Sequence, residues 1–93
     1  MEFEWDETKR QSNLAKHGVD FREAIRAFAD SARILEITQG KSGGREPRYR
    51  CIGHDGHGIL TVNFTLRAGA IRLINAGYWR KGKQTYEKNQ LHP

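Results

Sequence analysis

The chain has a single cysteine, Cys51, which excludes an internal disulfide and a cysteine-rich zinc site. It has no apolar run close to the roughly 18 residues that a membrane span requires. Its opening, Met1-Glu2-Phe3-Glu4-Trp5, is acidic and lacks the apolar core of a secretory signal. These absences predict a cytoplasmic, reducing setting with no membrane partner. No internal repeat or low-complexity tract interrupts the 93 residues, so one small domain is expected over 1–93. Acidic residues are scarce in the second half. Residues 1–46 carry nine acids and eight bases, a balance of −1, whereas residues 47–93 carry two acids (Asp55 and Glu87) and eight bases, a balance of +6. The asymmetry points to a polyanionic partner, nucleic acid first and an acidic protein second. At 37% the hydrophobic content is low for a short chain with a fully buried core, which favours a stable partner covering some of the surface.

What is present is clear local punctuation. Asp6 can cap a helix over residues 7–16, with Gly18 as the left-handed residue past its end. Leu14 and Ala15 are its core candidates, and Trp5 folds over its start as a staple. Asp20 and Glu23 form a D-x-x-E variant of the capping box. Phe21, Ala24, Ile25 and Phe28 then fall at i, i+3, i+4 and i+7, one helical face that ends at Asp30 and Ser31. A strand is expected over 32–38, with Leu35 and Ile37 on one face and Glu36 on the other. Residues 39–47 read as a mobile, glycine-containing loop that can bring Lys41 and Arg45 near a ligand. A second strand over 48–53 ends in the turn residues His54-Asp55-Gly56-His57. The third alternates Leu60, Val62, Phe64 and Leu66 with Thr61, Asn63, Thr65 and Arg67. Ala68-Gly69 turns the chain into a fourth strand over 70–76. The basic segment 78–90 reads as a helix weakened by Gly82. The predicted fold class is α+β: two N-terminal helices, an antiparallel sheet of about four strands and a C-terminal helix. The helices gather on one sheet face and leave the other partly open. Arg67 and Arg72 extend from neighbouring strands, and Arg48 and Arg50 point the same way as each other. Whether all four share a face depends on strand register.

Together these pieces resemble one family. Trp5-Asp6, Asn13-x-x-Lys16-His17-Gly18-Val19-x-Phe21-x-x-Ala24 and Phe28-x-Asp30 resemble the opening of the BrnT toxins. Arg45-Glu46-x-Arg48-Tyr49-x-x-Ile52-Gly53, Leu60-x-Val62-x-Phe64-Thr65-x-Arg67-x-Gly69 and Ile71-Arg72-Leu73-Ile74-x-Ala76 continue it, so the pattern runs over residues 5–76. The resemblance implies a RelE-like fold and a toxin of a type II toxin–antitoxin pair. Such a toxin cleaves RNA without a metal or other cofactor and arrests growth. Its implied partner is a BrnA-type antitoxin, a small DNA-binding protein whose complex with the toxin represses their operon at operator DNA. One place departs from the family. Asn75-Ala76-Gly77 stands where members usually carry Ser-Ala-Arg, and the following Tyr78-Trp79-Arg80-Lys81-Gly82-Lys83 is about one residue short before Tyr86. Arg80 or Lys81 can substitute for the missing charge. Two other readings stay open: a catalytically impaired subunit that only binds its antitoxin, and a general nucleic-acid-binding domain.

Metal-free cleavage uses the 2′-hydroxyl of the RNA as nucleophile, so the protein must move two protons and stabilise charge on the phosphate. Arginine suits the charge through bidentate contacts. Arg67 and Arg72, which match family positions, are the first catalytic candidates, followed by Arg48. Arg50, Arg80, Lys81 and Lys83 are candidates for the RNA backbone, with Tyr78 for stacking. Tyr86 and His17 are the candidate acid–base groups. The bland alternatives are solvated strand cations, aromatic packing for Trp79 and Tyr86, and a helix-end role for His17. His54 and His57 read as turn residues and Cys51 as a small strand residue.

Overall fold

The computed structural model describes residues 2–40 and 46–91. Two aspartates organise its first half. Asp6 Oδ1 accepts from the N–H of Thr8 at 2.8 Å and of Lys9 at 3.2 Å, starting α1 (Glu7–His17). Gly18 closes the helix at φ 70°, as expected. Asp20 accepts from Arg22 N at 2.9 Å and starts α2 (Phe21–Ala24), which tightens at once into a 3₁₀ turn, Ile25–Ala29. The tightening corrects the expected face. At about three residues per turn, Phe21, Ala24 and Ala27 line up, and all three are fully buried, while Ile25 and Phe28 are half-buried. A second correction falls in α1, where Leu14 and Ala15 are exposed and the buried residue is Asn13. Trp5 packs edge-on to Phe21, their ring centroids 6.2 Å apart.

The strands are β1 (Phe3–Glu4), β2 (Ile34–Gln39), β3 (Arg48–His54), β4 (Ile59–Arg67) and β5 (Ala70–Gly77), in the spatial order β1-β5-β4-β3-β2. β2 to β5 form the antiparallel meander that alternation predicts. β1 is an addition: it runs parallel to β5, with Phe3 opposite Ile71 and Glu4 opposite Arg72, and makes a mixed sheet of five strands. Two residues carry no periodicity, so nothing in the sequence marks them as a strand.

The inner sheet face carries Cys51, Leu60, Val62, Phe64, Leu73 and Ala76, packed with Phe21, Ala24 and Ala27 into one core. Gly53 lets the 3₁₀ turn approach closely, since a Cβ there would overlap Ala27 O. This helical cover stops short of the edge strand β2. Leu35 and Ile37 do share a face, but they are 57% and 71% exposed. The last helix, α3 (Arg80–Gln90), corrects the expectation that all helices lie on one side. It packs on the outer face, where Gly82 sits directly on Thr61 and any Cβ would overlap the threonine hydroxyl. The residue that weakens the helix is the one that lets it reach the sheet.

β5 would have an open edge beyond β1. Asn13 closes it: its Nδ2 donates to Ala76 O at 2.9 Å and to Val19 O at 2.9 Å, and its Oδ1 accepts from Ala76 N at 3.0 Å. Replacing Asn13 by alanine removes all three bonds and leaves buried backbone groups unpaired. We expect Asn13→Ala to lower the unfolding free energy by about 2–4 kcal/mol in denaturant titration, and Leu14→Ala, next along the helix but exposed, to lower it by less than about 1 kcal/mol.

Candidate nucleic-acid interface

Strand registers arrange the outer face in rows. In one row Gln39 is opposite Arg48, Thr65 is opposite Arg72, and Glu4 lies beyond Arg72; Arg67, opposite Ala70, is one step further from α3. Thr65 Oγ1 donates to Pro47 O at 2.7 Å, which joins the two parts beside Arg48. The next row is Glu36, Arg50, Asn63 and Asn75. In the third row Ile52, Thr61 and Gly77 lie against α3 or the Trp79 that precedes it. Rows are two residues apart along a strand, about 6.6 Å.

Arg48, Arg50, Arg67 and Arg72 therefore share one face. Arg48, Arg67 and Arg72 line a single open cavity of about 410 Å³, together with Lys9 and Glu46. Arg50 lines a second cleft of about 390 Å³, with Asn63, Lys81 and Trp79 at the foot of α3. Three of the arginines are held by carboxylates: Arg67 by Glu46 at 3.1 Å, Arg72 by Glu4 at 3.5 Å and Arg50 by Glu36 at 2.8 Å. Arg48 has no carboxylate partner among the described residues. These pairs are solvent-accessible, a class worth at most about 1 kcal/mol each, so an incoming phosphate can take the place of a carboxylate at small cost. Lys41 and Arg45 lie outside the described residues.

The structure does not bring His17 or Tyr86 to the arginine cavity. His17 packs edge-on to Trp79, with centroids 5.2 Å apart, near the third row. Tyr86 OH donates to Asp30 Oδ2 at 2.6 Å, and the same oxygen accepts from His54 N at 2.8 Å, at the end of β3 opposite Arg48. Tyr78 OH donates to Asp55 Oδ2, while Asp55 Oδ1 accepts from His57 N at 2.8 Å and Gly58 N at 2.9 Å. The Tyr86 phenol is pushed up to about 12 by its bond to Asp30 and by burial. The Tyr78 phenol is pushed up to about 12 by burial and by Asp55. Burial opposes ionisation of Asp30 and Asp55, but the donated hydrogen bonds outweigh it and both carboxyls lie below their ordinary value. The two tyrosines therefore hold α3 and the segment leading into it against Asp30, at the end of the 3₁₀ turn, and Asp55, in the β3–β4 turn. Tyr78, Arg80 and Lys83 line a further cleft with His54 on the far side of α3. His54 Nδ1 accepts from Gly56 N at 3.0 Å, a turn role, as expected. Cys51 is buried, and burial pushes its thiol up to about 12.

Gly77 has a structural cause. A Cβ there would lie 2.5 Å from Trp79 Cε2, so the indole occupies the place a longer side chain would need. Sequence reasoning missed Glu4, Asn13, Asn63 and Asn75. Of these, Asn13 lies in a quoted motif, Asn63 in the polar set of the third strand's alternation and Asn75 in the departing triplet, so each had a signal; Glu4 had none.

Two outcomes follow. Gly77→Arg should destabilise the fold by about 1–3 kcal/mol or more, by overpacking against Trp79. In denaturant unfolding, the cost of Trp79→Ala should be smaller in the Gly77→Arg background than in the wild type. The tyrosine clamps should also show in pH dependence. Phenols with folded values near 12 and an unfolded value near 10 add stability that is complete below about pH 10 and is lost as the pH rises toward 12. Melting temperature should fall over that window, by less in Tyr86→Phe, and phenolate absorbance should show two tyrosines ionising late.

Among the described residues no helix is long and apolar enough to cross a membrane. Among the described residues no three His, Cys, Asp or Glu side chains come together so as to hold a metal ion. No curated protein matches the chain. A family model does: that of the ribonuclease toxin BrnT of type II toxin–antitoxin systems, over residues 5–82. With the motifs along β3 to β5, the α+β fold and most of the chain inside that match, the protein belongs to the BrnT family of ribonuclease toxins.

Proposed function

We propose that the protein is a metal-independent RNA endonuclease, the toxin of a type II pair, that acts in the cytoplasm and is neutralised by a BrnA-type antitoxin through which it also reaches operator DNA. The observation that carries this reading is the convergence of Arg48, Arg67 and Arg72 on one open cavity of a rigid sheet. The 2′-hydroxyl attacks the adjacent phosphorus, the bond to the 5′-oxygen of the next nucleotide breaks, and a cyclic phosphate and a 5′-hydroxyl result. Charge grows on the non-bridging oxygens, where Arg72 and Arg67 supply fixed bidentate donors and Arg48 anchors the chain. Holding the phosphate in line contributes further, because attack needs a narrow geometry. With His17 and Tyr86 elsewhere, Glu46, which lines the same cavity, is the carboxylate positioned to take the hydroxyl proton. Arg50 and Lys81 continue the cationic track toward α3.

Induced expression should arrest growth, and the purified protein should cut RNA but not DNA with EDTA present. Arg72→Ala and Arg67→Ala should each lower cleavage at least about 100-fold, or about 2.7 kcal/mol, without unfolding the protein. Absence of cleavage by the wild type would sink the nuclease reading. A second reading, a subunit that binds its antitoxin without cutting RNA, is favoured by Gly77, where the family usually carries a cation; growth arrest that persists in Arg72→Ala would count against both.

A further inference from the structure

The second row of the outer face holds two residues that phosphate binding does not use. Asn63 Nδ2 donates to Asn75 Oδ1 at 2.7 Å across β4 and β5. This bond uses one donor and one acceptor, and the pair keeps Asn63 Oδ1 as an acceptor and Asn75 Nδ2 as a donor. Both residues are half-buried. They lie one row, about 6.6 Å, from Arg72 on one side, and Arg50 adjoins them in the same row.

A backbone irregularity creates the pair. The β4–β5 register shifts between Asn63 and Phe64, so that Asn63 faces Asn75 while Phe64 faces Leu73, and Ile74 is the extra residue. In an unbroken ladder Asn63 would face Ile74. Bulges beside functional sites re-aim side chains in this way. The cations around the pair, Arg48, Arg50, Arg72 and Lys81, are donors only; Glu36 is engaged by Arg50, Thr65 donates to Pro47 O, and Thr61 is buried under Gly82. To these cations the amide pair adds an uncharged acceptor beside a donor, held by the Asn63–Asn75 bond. That pattern reads a nucleobase edge: the Asn63 amide keeps Oδ1 and its second Nδ2 hydrogen, and adenine is the base that a single asparagine amide matches with two bonds, accepting from its amino group and donating to a ring nitrogen.

We propose that Asn63 and Asn75 are specificity-determining residues that read an adenine in the RNA whose phosphate lies against Arg48 and Arg72. The assignment rests on the ribonuclease reading, and a binding measurement separates the two. Uncleavable 2′-O-methyl oligonucleotides with A, C, G or U at the central position serve as probes in fluorescence anisotropy, alongside cleavage of the corresponding RNAs. The wild type should bind the adenine probe about tenfold or more tighter than the others and cut the matching RNA preferentially. Asn75→Ser and Asn63→Ser, which keep small polar side chains on the sheet, should reduce this preference to less than about threefold while changing affinity for the other probes little. Arg72→Ala should weaken all four probes alike. Equal binding of the four bases by the wild type, preference for a base other than adenine, or a preference unchanged in Asn75→Ser would overturn the assignment. Adenine-selective binding without cleavage would sink the nuclease reading and leave the base-reading role standing.

Discussion

The outer face depends on how β5 is held. That strand carries Arg72, Asn75 and Gly77, and three different elements fix it. β4 supplies the ladder along its length, β1 pairs at Ile71 and Arg72, and Asn13 bonds both backbone groups of Ala76. The Asn13 amide matters most because it reaches 63 positions along the chain and does for the strand edge what a sixth strand would do. It also draws α1 to that edge, which puts Lys9 at the arginine cavity. A single buried polar side chain, satisfied on both its nitrogen and its oxygen, thus links the first helix to the cationic face.

The electrostatics reverse a first impression of the charge distribution. By sequence the acids lie in the first half and the uncompensated bases in the second. In the fold the halves meet: Glu4, Glu36 and Glu46 pair with Arg72, Arg50 and Arg67. The cations of the sheet are therefore held in place by carboxylates that water still reaches. Such pairs position side chains without binding them strongly. A face of this kind can exchange carboxylate for phosphate with little reorganisation, which is what a site that must be ordered before its ligand arrives requires.

Gly77, Trp79 and the bulge at Ile74 form one linked set of departures. The indole fills the space beside Gly77, and the shifted register turns Asn75 toward Asn63. The expected cation is absent at one position, and two rows of neutral and cationic groups lie beside it. This face therefore sets paired arginines beside a hydrogen-bonded pair of neutral amides.

The helix starts at Asp6 and Asp20, the left-handed stop at Gly18, the alternation of β4 and the order of elements were legible in the amino-acid sequence, because each arises from neighbours a few residues apart. It also pointed to Arg67 and Arg72 and to the family. It did not reveal that α2 would tighten and bury Ala27, that Leu35 and Ile37 would be left exposed, or that α3 would cross to the outer face on Gly82. Nor did it show that four arginines share a face while His17 and Tyr86 are drawn into packing and clamps elsewhere. Those outcomes come from the folded chain, because register, bulges and the limits of helical cover are settled by contacts between residues far apart in the chain, where period and propensity carry no information.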